Sequence, residues 1–241
     1  MHNWLIARHT ITLLNIFTRS RHAPYSDAAF VHENDELSYV SAMRLREDEL
    51  FVRRLTQDLP RGAKSKLRMV DLNLKDAPIR LRCGTDAVFS TPVNPADPAI
   101  EKIRKALTQQ ADLGAMDVLV LPAALGRHVD HLTVREAAVP FTSARPVAFY
   151  EDLPYAATTS NAAADLETLR AIAPEDRLSP VLCQVDSLES KQKLVLGYAS
   201  QVDAQTADVI TGFASRYGGA ERLWANHSWC AIAETEHLSV T

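Results

Sequence analysis

The segment Asp117-Val-Leu-Val-Leu-Pro122 is a near-continuous apolar run bounded by Gly114 and Pro122, too short for a helix that buries itself. Runs of this length between backbone breakers suit strands covered on both faces, as in parallel sheets. Thr10–Thr18 (TITLLNIFT) has the same character and stops at a polar stretch; Met69–Leu74, Val147–Asp152 and Leu178–Asp186 are further strand candidates. Between them the period changes. Met43, Leu50 and Leu55 recur at roughly helical spacing, which predicts a helix from about Ser41 to Leu59, ended by Pro60-Arg61-Gly62. Asp97-Pro98 supplies an N-cap with proline in the first turn, and Ile100, Ile103 and Leu107 share one face of a helix running to about Ala111. A short helix begins at Thr133. The polar stretch from Ser20 to Val40 reads as a surface loop, and the C-terminal third as mixed helix and loop. Strands alternating with helices predict an α/β fold, a mainly parallel sheet flanked by helices, and residues 1–241 are read as a single domain.

Charge narrows the class of partner. Lys and Arg number 26 against 30 Asp and Glu, a formal net charge of −4, with no basic stripe to neutralise phosphates and no polybasic membrane anchor. A small-molecule substrate is expected, with no nucleic acid and no membrane span; the sequence leaves the oligomeric state open. Cys83, Cys183 and Cys230 are far apart and odd in number, so they predict neither a disulfide framework nor a cysteine zinc site, and read as buried small hydrophobes. The apolar run near the start is too short to span a bilayer and lacks a basic leader, from which a cytoplasmic address is expected.

The segment LGRHVDHLTVREAA, Leu125–Ala138, follows the Asp117–Pro122 strand directly and places His128, Asp130 and His131 within four residues. In parallel α/β sheets, ligands sit outside the carboxyl ends of the strands, where this motif falls. A carboxylate bonded to one ring nitrogen fixes which nitrogen is left to ligate or donate, so the trio suits a metal ligand beside a general acid. Capping and the helix dipole explain an aspartate at a helix start equally well. Spacing alone leaves both open.

GRHVDHLTVREAA resembles the second signature of the PIG-L/LmbE-like deacetylases, zinc-dependent amidases that remove acetyl groups from N-acetylglucosamine-type sugars. The likeness extends along the chain: LLNIFTRSR resembles the family's second strand and following loop, and VSAMRLREDE its R-x-x-E helix, matching Arg44 and Glu47. DAPIR, YEDLPYA and a late segment with Lys191, Leu194, Tyr198, Ser200 and Gln201 also match. The resemblance implies a Rossmann-like deacetylase in which Zn2+ activates a water. Carried over residue by residue, it makes His131 a metal ligand and His128 the group that stabilises or protonates the tetrahedral intermediate, with Asp130 holding His128. Outside the motif, Arg44 is read as a substrate-side residue or part of a solvated helix face, and Asp76 reaches a sugar hydroxyl or is a turn aspartate before proline. Asp152 and Tyr155, at another strand end, line the pocket or shape the loop. Arg44 and Glu47, one helical turn apart, allow a salt bridge.

The family's other two zinc ligands and its general base come from a His-x-Asp-Asp motif after the first strand, and no such motif occurs in this sequence. NWLIARH resembles the end of the helix that follows that motif, so the domain is expected to be N-terminally incomplete, lacking that strand and motif. His32 and Asp35 of HENDE have the ligand spacing, but no apolar strand precedes them and no second aspartate adjoins them, so a solvated loop is the expectation. Three protein ligands around an open position are needed for a zinc hydrolase. The sequence therefore predicts an amino-sugar N-deacetylase domain inactive in this form, with a non-catalytic carbohydrate- or protein-binding member of the same fold as the rival. A nucleotide-binding reading is weakened by the lack of a G-x-G-x-x-G turn.

Overall fold

The structure is a computed structural model that describes residues 1–110, 118–142, 145–172 and 178–235. In chain order the elements are α1 (His2–Ile6), β1 (Ile11–Asn15), α2 (Glu33–Thr56), α3 (Arg61–Lys64), β2 (Leu67–Asp71) and α4 (Ala77–Arg80). A 3-10 turn at Asp86–Phe89 leads to α5 (Pro98–Gln110), β3 (Leu119–Pro122), α6 (Val129–Thr142), β4 (Val147–Tyr150), α7 (Tyr155–Thr158), α8 (Ala162–Arg170) and β5 (Ser179–Gln184). The chain then forms α9 (Leu188–Val195), α10 (Ala204–Ser215), β6 (Ala220–Ala225) and α11 (His227–Thr235). It is an α/β protein with parallel and mixed sheets flanked by helices. Asp117, Gly114 and Ala111, used above to bound elements, lie outside the described residues.

Two compact units divide the chain, Met1–Thr85 with Val185–Gly219, and Asp86–Gln184 with Ala220–Thr241. In the first, β1 and β2 pair in parallel from Ile11↔Leu67 to Asn15↔Asp71. Here β1 is half-buried rather than fully covered as its composition suggests, with Thr12 exposed. The apolar centre is built from Leu5 of α1, Leu55 of α2, Leu59 and Ala63, with Ile11, Phe51, Leu67 and Leu194 packed against it. α2 starts eight residues before the apolar periodicity becomes visible. Its first turn holds Glu33, Asp35 and Glu36, which the positive helix N-terminus favours. His32 and Asp35 are thus a helix start, not a loop, and no group of three His, Cys, Asp or Glu suited to a metal occurs among the described residues.

The residues of α2 that match the family helix bond to the late matching segment. Glu47 is buried and accepts hydrogen bonds from the Ser200 N–H and Oγ, both at 2.7 Å. Tyr198 donates to Asp48 at 2.9 Å, and Asn15 donates to the other oxygen of Asp48 at 2.9 Å. Burial pushes the Asp48 carboxyl above its usual range, against the opposing Tyr198 hydrogen bond and the Arg44 charge. Glu47 therefore spends both oxygens on Ser200, and the Arg44–Glu47 salt bridge allowed by spacing is not formed.

In the second unit the strand order is β3-β4-β6-β5. β3 and β4 are parallel, while β6 pairs antiparallel with both β4 and β5. β6 was not legible as a strand because Glu221 and Arg222 interrupt its apolar pattern. The structure satisfies that charge: Arg222 Nε donates to buried Glu151 at 2.7 Å, and Trp224 Nε1 donates to the same oxygen at 3.0 Å. Phe149 and Trp224 oppose each other across the β4/β6 ladder, both buried, a cross-strand aromatic pair of the kind that stabilises a sheet. Asn226 ties the unit together: its Oδ1 accepts from the Val147 and Trp229 N–H groups, and its Nδ2 donates to the Thr142 and Arg145 carbonyls. As forecast, Asp97 caps α5, its Oδ1 accepting the Ala99 N–H at 2.9 Å. None of the three cysteines forms a disulfide among the described residues, and each is only partly buried; burial pushes the Cys183 thiol up to about 12, which keeps it protonated at neutral pH.

Candidate active site

The motif segment leaves β3 through a loop whose backbone is unusual. Ala124, Gly126 and Arg127 all have positive φ, at 59°, 83° and 63°, a region that costs L-residues energy and persists only where surrounding contacts hold it. Those contacts are two buried carboxylates and a buried cation. Asp152, just past β4, accepts the Leu125 N–H at 3.0 Å, and Asp165 of α8 accepts the Gly126 N–H at 3.0 Å. Arg135 of α6 donates to the Ala123 carbonyl at 2.8 Å. Its burial lowers the pKa, and the charges of Asp152 and Asp165 oppose that shift. The cation offsets two negative groups that would otherwise be costly in so dry a place. A side chain at position 126 would also collide with Tyr155, whose Cβ lies 2.7 Å from where the new Cβ would stand.

The loop delivers His128 to the start of α6, with Asp130 and His131 in its first turn. The Asp130 N–H donates to His128 Nδ1 at 3.2 Å, so a neutral His128 carries its proton on Nε2 and is a hydrogen-bond donor through that atom. The Asp130 side chain is buried. His131 is arranged the opposite way. Its Nδ1 lies 2.7 Å from Asp152 Oδ1, with the imidazole 30% exposed and the carboxylate fully buried. The approach is off the ring N–H axis, so neither atom has an aligned hydrogen bond; in the neutral ring, a carboxylate this close favours the proton on Nδ1. The Nε2 lone pair is then what His131 offers, as a ligand or an acceptor. One ring donates and its neighbour, with centroids 5.1 Å apart, accepts.

Aromatic rings surround the pair. Tyr155 stacks on His128 at 5.6 Å with 28° between planes and meets His131 edge-on at 5.7 Å. Phe89 stands edge-on to His128 at 5.4 Å and to Tyr155 at 5.2 Å.

Arg44 and Asp76 belong to the first unit, where they flank His22. Burial lowers the His22 pKa, the Arg44 charge adds to the lowering and the Asp76 charge opposes it. Asp76 is 7% exposed; it accepts from Ser20 Oγ at 2.5 Å through Oδ2, while its Oδ1 has no hydrogen bond. The structure thus gathers His128, Asp130, His131, Asp152 and Tyr155 in one unit, and Arg44 and Asp76 in the other. Sequence reasoning missed Asp165, Arg135 and Phe89. Asp165 and Arg135 sit inside helical patterns, where a charge reads as a solvated face, and Phe89 lies in a stretch without periodicity.

A zinc centre of the hydrolytic kind takes three protein ligands. Among the described residues no three donors converge; His131 contributes one imidazole and Asp152 is turned to its inner nitrogen. The residues present do not fit a complete centre.

No family model matches the chain. It is 32% identical over 226 residues to a 2'-N-acetylparomamine deacetylase of Streptomyces fradiae, covering 88% of this chain and 70% of that protein. Among solved structures, it resembles the zinc inhibited form of the teicoplanin deacetylase Orf2, with a TM-score of 0.63 at 21% identity over 93% of this chain and 91% of that one. It also resembles the A40926 pseudoaglycone deacetylase Dbv21, with a TM-score of 0.55 at 17% identity over 91% of this chain and 86% of that one. These structures share the fold, and the identity to the Streptomyces fradiae enzyme carries the relationship: the chain belongs to the PIG-L/LmbE-like deacetylases.

Proposed function

We propose that residues 1–241 form one domain of an amino-sugar N-deacetylase, which removes an acetyl group from the nitrogen of a small amino-sugar conjugate and acts in the cytoplasm. The observation that carries this is the pair of imidazoles at the end of β3, one with Nδ1 against the Asp130 N–H and the other with Nδ1 against the Asp152 carboxylate. Amide hydrolysis needs a hydrogen-bond donor for the oxygen that becomes negative in the tetrahedral intermediate. His128 takes that role through Nε2, oriented by the Asp130 main chain. His131 is the imidazole offered to Zn2+. No helix among the described residues is long and apolar enough to cross a membrane.

Because the donor set is partial, the 241-residue chain is expected to hold well under one zinc per chain and to release acetate only at background rate. Zinc content and acetate release from N-acetylglucosaminides are to be measured for this chain and for a version extended by N-terminal residues of the Streptomyces fradiae deacetylase. Stoichiometric zinc and acetate release are expected in the extended version alone, both lost with His131→Ala, and acetate release lost with His128→Ala. Equal zinc occupancy in both chains, or hydrolysis insensitive to His128, refutes the proposal.

A further inference from the structure

We infer that Phe89, with the stacked His128 and Tyr155 rings behind it, is a platform for the C–H face of the substrate's pyranose ring. The inference rests on the amino-sugar reading above and names the surface that recognises the sugar. Phe89 ends the 3-10 turn Asp86–Phe89, whose Val88 is buried at 3% exposure and anchors the turn. Phe89 itself is turned outward and remains 41% exposed. A lone outward phenylalanine would be unremarkable on any protein surface. This one is held edge-on against two rings of the candidate site, at 5.4 Å from His128 and 5.2 Å from Tyr155.

Aromatic faces carry partial negative charge and ring edges partial positive charge. Phe89 meets both rings at steep angles and, 41% exposed, keeps ring surface for a ligand, and an aromatic face suits polarised C–H groups. A pyranose in the β-gluco configuration has axial C–H bonds at positions 1, 3 and 5 on one side, an apolar patch on an otherwise polar molecule. With ring centroids 5.4 Å apart, a sugar seated on Phe89 is placed beside the His128 imidazole. An acyl chain is the competing occupant, and the experiment separates the two.

Binding of methyl 2-acetamido-2-deoxy-β-D-glucopyranoside to the 241-residue chain is to be followed by saturation-transfer NMR with irradiation of the aromatic protons, and dissociation constants obtained by titration. Saturation is expected to be stronger at the axial ring protons than at the acetyl methyl. Phe89→Ala is expected to weaken binding roughly two- to tenfold, the range of an aromatic contact. Phe89→Leu, which keeps apolar bulk without the π face, is expected to weaken it nearly as much, with the Tyr155 ring signals unmoved in both variants. Saturation centred on the acetyl methyl, affinity unchanged in Phe89→Ala, full affinity in Phe89→Leu, or no binding by the unsubstituted chain overturns the platform. Methyl β-D-glucopyranoside serves as the second probe. If it binds as well as the acetamido sugar and with the same dependence on Phe89, the platform stands and the deacetylase reading loses support.

Discussion

Gly126→Ala tests whether the β3–α6 loop is held in a strained shape by its surroundings. The new side chain would sit at φ +83° with its Cβ 2.7 Å from Tyr155 Cβ. The left-handed conformation costs an L-residue about 1–2 kcal/mol, and forcing a carbon into a filled space costs about 1–3 kcal/mol. Reduced freedom of the unfolded chain returns about 0.4–1 kcal/mol. The expected net loss is about 1–5 kcal/mol, a large part of the 5–15 kcal/mol or so by which domains are stable. Arg127→Gly, one residue on and at φ 63°, is the control of opposite sign. It relieves the conformational cost without meeting Tyr155, and should leave stability unchanged or raise it by about 1 kcal/mol. Urea unfolding followed by circular dichroism measures both. If Gly126→Ala lies within about 0.5 kcal/mol of the parent, the usual range for an inconsequential surface change, the collision is relieved by free movement of Tyr155 and the loop is not held as described.

Asp48 gives a pH signature. Its folded-state pKa is raised by burial, so the folded protein binds that proton more tightly than the unfolded chain does. Its contribution to stability is then complete at acid pH and lost as pH rises from the unfolded value of about 3.9 through the raised folded value. The difference between urea midpoints of the parent and Asp48→Asn is expected to change through that window, the parent losing relative stability as pH rises, and to be flat above it; a difference independent of pH would contradict the raised pKa. Asn226→Ala strips partners from the buried Val147 and Trp229 N–H groups and from two carbonyls. At about 1–3 kcal/mol for each buried group left unsatisfied, a loss of at least about 3 kcal/mol is expected by calorimetry, and a loss below about 1 kcal/mol would mean water replaces the side chain.

What the sequence showed and what it hid divide along physical lines. Strands β1 to β5 and α5 were legible because burial on one or both faces imposes an apolar pattern, and the Asp97-Pro98 cap is a local signal. β6 was hidden because Arg222 finds its counter-charge in Glu151, remote in sequence. The start of α2 was hidden because its first turn is polar throughout and only the acidic residues near the N-terminus betray it. Within the candidate site, His128, Asp130 and His131 stood out because three functional groups crowd one short segment. Asp165 and Arg135 did not, since their meaning comes from the backbone groups they hold, Gly126 N–H and Ala123 C=O, and no spacing rule encodes such a contact.

The two imidazoles obtain opposite polarity from independent sources, and that independence can be tested. His128 is set by a main-chain N–H of its own helix, whereas His131 is set by a carboxylate that follows β4. Asp152→Asn separates them. The Leu125 N–H needs an acceptor and lies against Asp152 Oδ2, so the introduced side-chain amide is expected to place its carbonyl oxygen there. Its NH2 then faces His131 Nδ1, where the carboxylate oxygen stood. A donor in that position requires Nδ1 to accept, and the ring proton moves to Nε2. The lone pair that His131 presents outward is then lost, with loop geometry retained and no change in the number of ring protons. Nitrogen-15 NMR of the ring atoms distinguishes the tautomers directly. The parent should show the proton on Nδ1 of His131 and on Nε2 of His128; the variant should change His131 alone. If both rings carry the same tautomer in the parent, or if His128 changes along with His131, their polarities are not set separately by Asp130 N–H and Asp152, and the complementary donor and acceptor on which the oxyanion-donor role of His128 depends does not exist.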